Sequence, residues 1–371
     1  MPFDVRDFPG APPGERAASS RNRWLVAGWL LTICGMILLM VVLGGVTRLT
    51  GSGLSIMEWA PLSGILPPLN HAEWEKLFAL YKQIPQYRLE HAGFGLSGFQ
   101  RIFWLEWLHR FWGRLIGVAF FVPLVWFWAT GRIERRLRPR LALIFLLGGA
   151  QGAVGWFMVE SGFFPDSISV SPYRLAVHLA LALALYAALL WTALGLVQPN
   201  RRMAAAAPLR VLLLFCCVLV ALTIVAGSFV AGTHAGFEYN TFPLMEGRLV
   251  PTNYARLTPF LRNLTQNPAA VQFDHRLLAT LTAVITAFTA IFAAVTRVSP
   301  MARVATAALG GLVGLQYSLG IATLLLVVPV PLAAAHQACG VLVLTASLVA
   351  LHALRPLPAR HRSRIRPALA E

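Results

Sequence analysis

Four histidines, His109, His178, His275 and His336, stand near the starts of four long apolar stretches. Imidazole is costly to place in a lipid interior and is a common axial ligand for heme iron. The four fall into two pairs at matching places in two halves of the chain, which points to two heme pockets on a repeated scaffold. His71, His91, His234, His352 and His361 have no partner in the repeat. Their default is loop or tail polarity, although His234 lies near the second pocket.

The two halves are not chemically equal. Glu106 lies three residues before His109 and shares its helical face. The matching position before His275 is Gln272, which cannot carry the charge. A carboxylate near the membrane is a functional candidate, and its plainer alternative is an ion pair with Arg110, one turn on. Arg110, Arg114 and Arg276 have the guanidinium fork that pairs with heme propionates, here near the outer face. Bis-histidine ligation usually makes an electron carrier, whereas an open position permits oxygen chemistry. The asymmetry therefore suggests that one half does chemistry while the other supplies electrons.

The elements that must position these groups are membrane helices. The chain has 371 residues, is 57% hydrophobic and carries only 12% charged residues. Apolar runs long enough to span a bilayer occur at 24–46, 103–130, 141–159, 175–197, 211–231, 277–296, 305–328 and 332–354. With no water to satisfy backbone groups in lipid, such runs are helices. The expected fold is an all-α integral membrane protein with eight transmembrane helices.

An internal repeat organises the eight. His109-Arg110 matches His275-Arg276, Gln151 to Gly155 matches Gln316 to Gly320, and Leu-Ala-Val-His178 matches Ala-Ala-Ala-His336, at offsets of 166, 165 and 158 residues. The segments Gly45 to Gly53 and Gly227 to Gly236 echo each other as well. Residues 24–200 and 201–354 read as tandem four-helix bundles, flanked by tails at 1–23 and 355–371. Four spans per unit is an even number, so both copies share one orientation, related by a pseudo-twofold axis along the membrane normal. Bundle cores are a recurrent place for such cofactors. Long loops at about 47–102 and 232–272 fall outside, the first with a polar helix near His71 to Tyr81 and a glycine-rich piece at Gly93 to Gly98. Loops of this length tend to be functional. Gly113-x-x-x-Gly117 and Gly148-x-x-x-Gly152 read as close helix packing with no chemical role.

The net charge of +16 has a topological explanation rather than a nucleic-acid one. With the N-terminus inside, the cytoplasmic segments collect 19 Arg and Lys against 5 acidic groups, and the rest of the chain carries 12 against 10. This is the positive-inside pattern, with both termini cytoplasmic. Asp4, Asp7 and Glu15 argue against a mitochondrial presequence, and 24–46 is too long for a signal-peptide core. The expected location is a bacterial inner membrane. Cys34, Cys216, Cys217 and Cys339 all fall inside spans, none in an outer loop where an oxidising compartment would pair it.

Five segments together resemble the heme A synthase family, in the branch shared by mitochondria and some bacteria. They are Gly44-Gly-Val-Thr-Arg-Leu-Thr-Gly-Ser-Gly-Leu-Ser55, Tyr81-Lys-Gln-Ile-Pro85, Glu106-Trp-Leu-His-Arg-Phe-Trp-Gly-Arg114, Ser171-Pro-Tyr-Arg-Leu-Ala-Val-His178 and residues 237–247, Phe237 to Gly247. The resemblance covers roughly residues 24–354. It implies an enzyme that oxidises a porphyrin methyl of heme O to the formyl group of heme A. It also implies a resident heme B held by His275 and His336, a heme O pocket with His109 and His178, and Glu106 as the catalytic carboxylate. The cysteine pair that some members carry in the first outer loop is missing. Implied partners are heme O itself, a heme O synthase that would hand over a poorly soluble product, an electron donor of open identity and membrane lipid; the oligomeric state is open, a homo-oligomer included. Two rival readings are a diheme b-type cytochrome that only carries electrons and a heme transporter. The first has no need of Glu106 in one half only. For the second, Pro123 is the nearest thing to a broken span.

Overall fold

A computed structural model of the chain describes residues 13–58, 63–165, 167–197 and 207–354. The basic tail at 355–371, most of the N-terminal tail and the junction at 200 and 201 lie outside the described residues. Eleven helices follow in order: α1 (Pro13–Leu49), α2 (His71–Tyr81), α3 (Pro85–Glu90), α4 (Leu96–Ala129), α5 (Arg138–Glu160), α6 (Pro172–Val197), α7 (Ala207–Gly232), α8 (Asn263–Gln266), α9 (Pro268–Val295), α10 (Pro300–Leu325) and α11 (Val330–Ala353). Among the described residues, eight of them are long and apolar enough to cross a membrane, namely α1, α4 to α7 and α9 to α11. These are the eight spans expected. Their starts are marked chemically: Asn267 and Ser299 accept hydrogen bonds from the first turns of α9 and α10, and proline occupies the opening positions where its missing N–H costs nothing. α4 runs unbroken past Pro123.

Within each half the spans form a ring. α1 packs on α4, α4 on α5, α5 on α6, and α6 closes back onto α1. α7, α9, α10 and α11 close in the same cyclic order. The histidine-bearing helices α4 and α6 are therefore diagonal in one ring, and α9 and α11 in the other. The rings meet along α1, α6, α7 and α11, where Tyr186 Oη and Thr345 Oγ1 lie 2.7 Å apart and Gln337 Nε2 donates to the Val41 carbonyl at 2.9 Å. One apolar core, including Leu30, Ile33, Leu141, Leu189, Leu209, Leu213 and Leu309, runs through both rings. The outward faces remain apolar, as lipid requires.

Two sequence expectations are corrected. The glycines of the Gly148-x-x-x-Gly152 stretch on α5 meet no neighbouring atom within 4 Å, and neither does Gly117 on α4. Only Gly113 approaches a neighbour, the Met40 side chain. The histidines, expected near the starts of the apolar stretches, lie beyond the first turns of helices that begin earlier than those stretches. α4 begins at Leu96, well before the apolar run, because Phe99, Ile102 and Phe103 pack into an aromatic cap beneath α2 and α3. His178, His275 and His336 sit in the second or third turn.

The outer loops are built unequally. In the first, Asn70 caps α2 by accepting from the Glu73 N–H at 2.9 Å, and Glu73 reaches back to the Leu69 N–H at 2.9 Å. Phe78, Tyr81, Phe99 and Phe103 then bury together. The second loop has a smaller cluster of Tyr239, Met245 and Ala269.

Candidate active site

Glu106 is 2% exposed, and every acceptor position it offers is used. One oxygen accepts from the Ser55 hydroxyl at 2.7 Å and the Ile56 N–H at 2.9 Å. The other accepts from Arg110 Nη2 at 2.7 Å and Nε at 3.1 Å. Arg110 Nη2 also donates to the Ile56 carbonyl at 2.6 Å. The ion pair expected as the plainer alternative is thus present, and it ties the loop after α1 to the outer part of α4. Donors aimed at both oxygens replace the solvation that burial removes from this carboxylate.

The second half repeats the latch without the charge. Gln272, also 2% exposed, donates to the Tyr239 carbonyl at 3.1 Å. Arg276 Nη2 donates to that carbonyl at 2.7 Å and to Gln272 Oε1 at 3.3 Å, while Nη1 reaches the Thr241 carbonyl at 2.9 Å. Arg110 and Arg276 are therefore loop anchors. Arg114 lies one turn further along α4.

The structure brings the histidines together in the expected pairs. His109 on α4 and His178 on α6 belong to one ring of helices, and His275 on α9 and His336 on α11 to the other. All four rings are only half-buried although they belong to interior faces. His275 Nδ1 lies 3.1 Å from the Thr223 carbonyl, which can only accept, so that nitrogen carries the proton and Nε2 is left with its lone pair free. His109 Nδ1 and His336 Nδ1 are buried without a partner. The Gln151 amide nitrogen lies 3.2 Å from His178 Nδ1, and that of Gln316 lies 3.3 Å from His336 Nε2. Both glutamine Oε1 atoms are buried and unpartnered. Gln151 is held in this orientation by donating from Nε2 to the His178 carbonyl at 3.0 Å. A half-turn of the Gln316 amide would let its Oε1 accept an imidazole N–H and orient the His336 ring.

Sequence reasoning noted Gln151 and Gln316 as repeat markers and gave them no role; their place beside the second histidine of each pair was the available signal. It also missed the network over the first half. Tyr81 donates to Gln86 Oε1 at 3.1 Å and lies 2.6 Å from His91 Nδ1, and Gln86 Nε2 donates to the Gly51 carbonyl at 2.9 Å. Burial first, and then the nearby Glu90 and Glu106 carboxylates, push the Tyr81 phenol above its ordinary range. Burial holds His91 below its usual value, partly opposed by Glu90. His234 is not part of the second histidine pair. Its Nε2 lies 3.0 Å from Arg48 Nη2, and because Arg48 can only donate, the imidazole accepts.

Among the described residues, no three His, Cys, Asp or Glu side chains gather as a metal cluster. Donors arriving in twos suit iron that a porphyrin already holds in its plane, and the half-buried rings leave room for such a plane. The residues fit the group.

Comparison with known proteins agrees with this chemistry. The COX15-CtaA family model, described as cytochrome oxidase assembly protein, matches residues 27–348. The chain is 60% identical over 336 residues to a heme A synthase of Granulibacter bethesdensis, covering 90% of this chain and 88% of that protein. It is 50% identical over 350 residues to a heme A synthase of Rhodospirillum centenum, covering 94% and 92%. A heme A synthase of Nitrosospira multiformis is 47% identical over 333 residues, covering 89% and 93%.

Proposed function

The chain belongs to the COX15-CtaA family of cytochrome oxidase assembly proteins, and from that premise we propose that it oxidises a methyl group of heme O to the formyl group of heme A. The observation that carries the reading is the buried Glu106 carboxylate, three residues before His109 and replaced by Gln272 in the other half. An electron carrier has no use for that charge in one half only.

The two bundles, 24–200 and 201–354, take different parts. His109 and His178 would hold the iron of the substrate heme O, while His275 and His336 would hold a resident heme B. When bound, that heme supplies one-electron transfer. His275 is presented to it through Nε2, its other nitrogen being fixed on the Thr223 carbonyl. Two successive hydroxylations of the substrate methyl, each consuming one dioxygen with two electrons and two protons and releasing one water, would give a gem-diol, which loses water to the aldehyde. Glu106, hydrogen-bonded by Arg110 and by the Ser55 and Ile56 donors, stabilises positive charge that develops at the methyl carbon or takes up the proton released there. The aromatic cap of Phe78, Tyr81, Phe99 and Phe103 excludes water from that side.

The surplus of basic residues in one set of loops supports a bacterial inner-membrane protein with both termini cytoplasmic and the histidine sites toward the outer face. Delivery of heme O by a heme O synthase, and electrons from a separate donor, complete the reading.

Heme extraction tests it. Membranes that make heme O are compared with and without this chain, and the hemes are separated and weighed by mass spectrometry. Heme A is expected only where the chain is present. Unchanged heme O beside a folded, heme-loaded protein and a working electron donor would favour the diheme cytochrome instead.

A further inference from the structure

Every histidine of the two pairs meets a glycine of the preceding membrane helix. A methyl group placed on Gly44 of α1 would stand 2.9 Å from His109 Cε1 on α4; on Gly155 of α5, 2.9 Å from His178 Cε1 on α6; on Gly227 of α7, 3.0 Å from His275 Cε1 on α9; and on Gly320 of α10, 2.9 Å from His336 Cε1 on α11. The rest of the ring follows the same order. Nδ1 lies 3.4 to 3.5 Å from that position and Nε2 3.7 to 3.8 Å, in all four. Most other glycines of the spans behave differently: Gly28, Gly35, Gly117, Gly148, Gly149, Gly152, Gly311 and Gly314 meet nothing within 4 Å.

Ordinary helix packing does not account for this pattern. Small residues let backbones approach wherever two helices cross, and the side chain opposite is then arbitrary. Here it is the same residue, met by the same ring edge, at four places. The halves differ elsewhere, in Glu106 against Gln272 and in the size of their outer caps, while the contact holds to about 0.1 Å. We propose that Gly44, Gly155, Gly227 and Gly320 are positioning residues, seats that fix the angle of each imidazole so that one nitrogen is aimed into its pocket as an iron ligand. This rests on the functional reading above and extends it to residues whose only contribution is the absence of a side chain. The unit that recurs four times is then a two-helix one, a glycine on one span and a histidine on the next. A Cβ at any seat would displace the ring by several tenths of an ångström, because a contact under 3.0 Å with a ring carbon cannot be kept.

The test uses the full-length protein purified with its heme. Gly227→Ala and Gly320→Ala are compared with Gly44→Ala and Gly155→Ala, and with Gly28→Ala and Gly314→Ala as open-space controls. Bound heme per protein, the low-spin signal in electron paramagnetic resonance, and heme O conversion are read for each. Gly227→Ala and Gly320→Ala are expected to weaken retention of the resident heme about 10- to 100-fold, the range for groups that orient a metal ligand, or to shift its low-spin signal. Gly44→Ala and Gly155→Ala should keep that heme with an unchanged signal and lose conversion, and the controls should do neither. Where a seat variant fails to fold, Gly227→Ala is combined with His275→Ala, which removes the ring the methyl would strike. The double variant should then fold as well as His275→Ala alone. Seats as silent as the controls, or a folding defect that survives removal of the ring, would overturn the proposal while leaving the enzymatic reading intact. A parent protein that holds no heme would overturn both.

Discussion

The outer ends of α4 and α9 perform the same mechanical task with different chemistry. Each uses an arginine one turn inside a hydrogen-bonding residue to catch the returning loop, Arg110 on the Ile56 carbonyl and Arg276 on the Tyr239 carbonyl. In one half the second residue is Glu106, in the other Gln272. An amide suffices to hold a loop, since the Gln272 version does so with comparable distances. The charge at Glu106 is therefore surplus to the latch, and a buried charge that architecture does not require is the best guide to chemistry.

The sharpest way to break this comparison is to exchange the two residues. Glu106→Gln should reduce heme O conversion by about 10²- to 10³-fold, the usual cost of removing one group aimed at developing charge, while the resident heme stays. Gln272→Glu, with Arg276 beside it, should change conversion less than about threefold, well under 1 kcal/mol on the barrier. Steady-state kinetics and heme content on both variants check this. Loss of the resident heme in Glu106→Gln would return Glu106 to a structural role.

A smaller effect should mark the larger aromatic cap over the first half. Tyr81→Phe deprives Gln86 Oε1 of its donor and removes the partner of His91, for about 1–3 kcal/mol of stability. Thermal unfolding should register this, with heme content unchanged. Equal losses of heme would tie the cap to the second half as well.

The smallest effect is in pH dependence. Burial lowers the folded pKa of His91 below its ordinary 6.5, so the unfolded chain takes up the proton first as pH falls. The contribution of His91 is present above pH 6.5 and is lost as pH drops from there through the folded value. Hydrogen exchange in α2 and α3 should quicken on that acid side, and His91→Gln should flatten the response. An exchange rate that does not change below pH 6.5 would remove His91 from the account.

Much of this was legible in the sequence. Spans in lipid are long, and few residues are tolerated in them, so hydropathy fixed eight helices and the repeat placed four histidines in two pairs. Glu106 stood out because its repeat partner lacks the charge. Other features depend on contacts that no local pattern encodes. The early start of α4 at Leu96 comes from a loop folding back to bury Phe99 and Phe103. Glycine spacing pointed to Gly148 and Gly152, which pack against no neighbouring helix, whereas Gly44 and Gly227 matter through rings 65 and 48 residues away. A GxxxG pattern marks small residues on one helix face but not what stands opposite. Arg110 and Arg276 suggested heme propionates by type, and tertiary structure gives their donors to loop carbonyls.

The central claim is a division of labour between the two histidine pairs, and heme inventory on two variants tests it most directly. Purified His109→Met and His275→Met are each assayed for bound heme and for conversion of supplied heme O. The account requires His109→Met to keep the resident heme and fail to convert, and His275→Met to lose that heme together with conversion. Loss of the resident heme from His109→Met, with full retention in His275→Met, would contradict it.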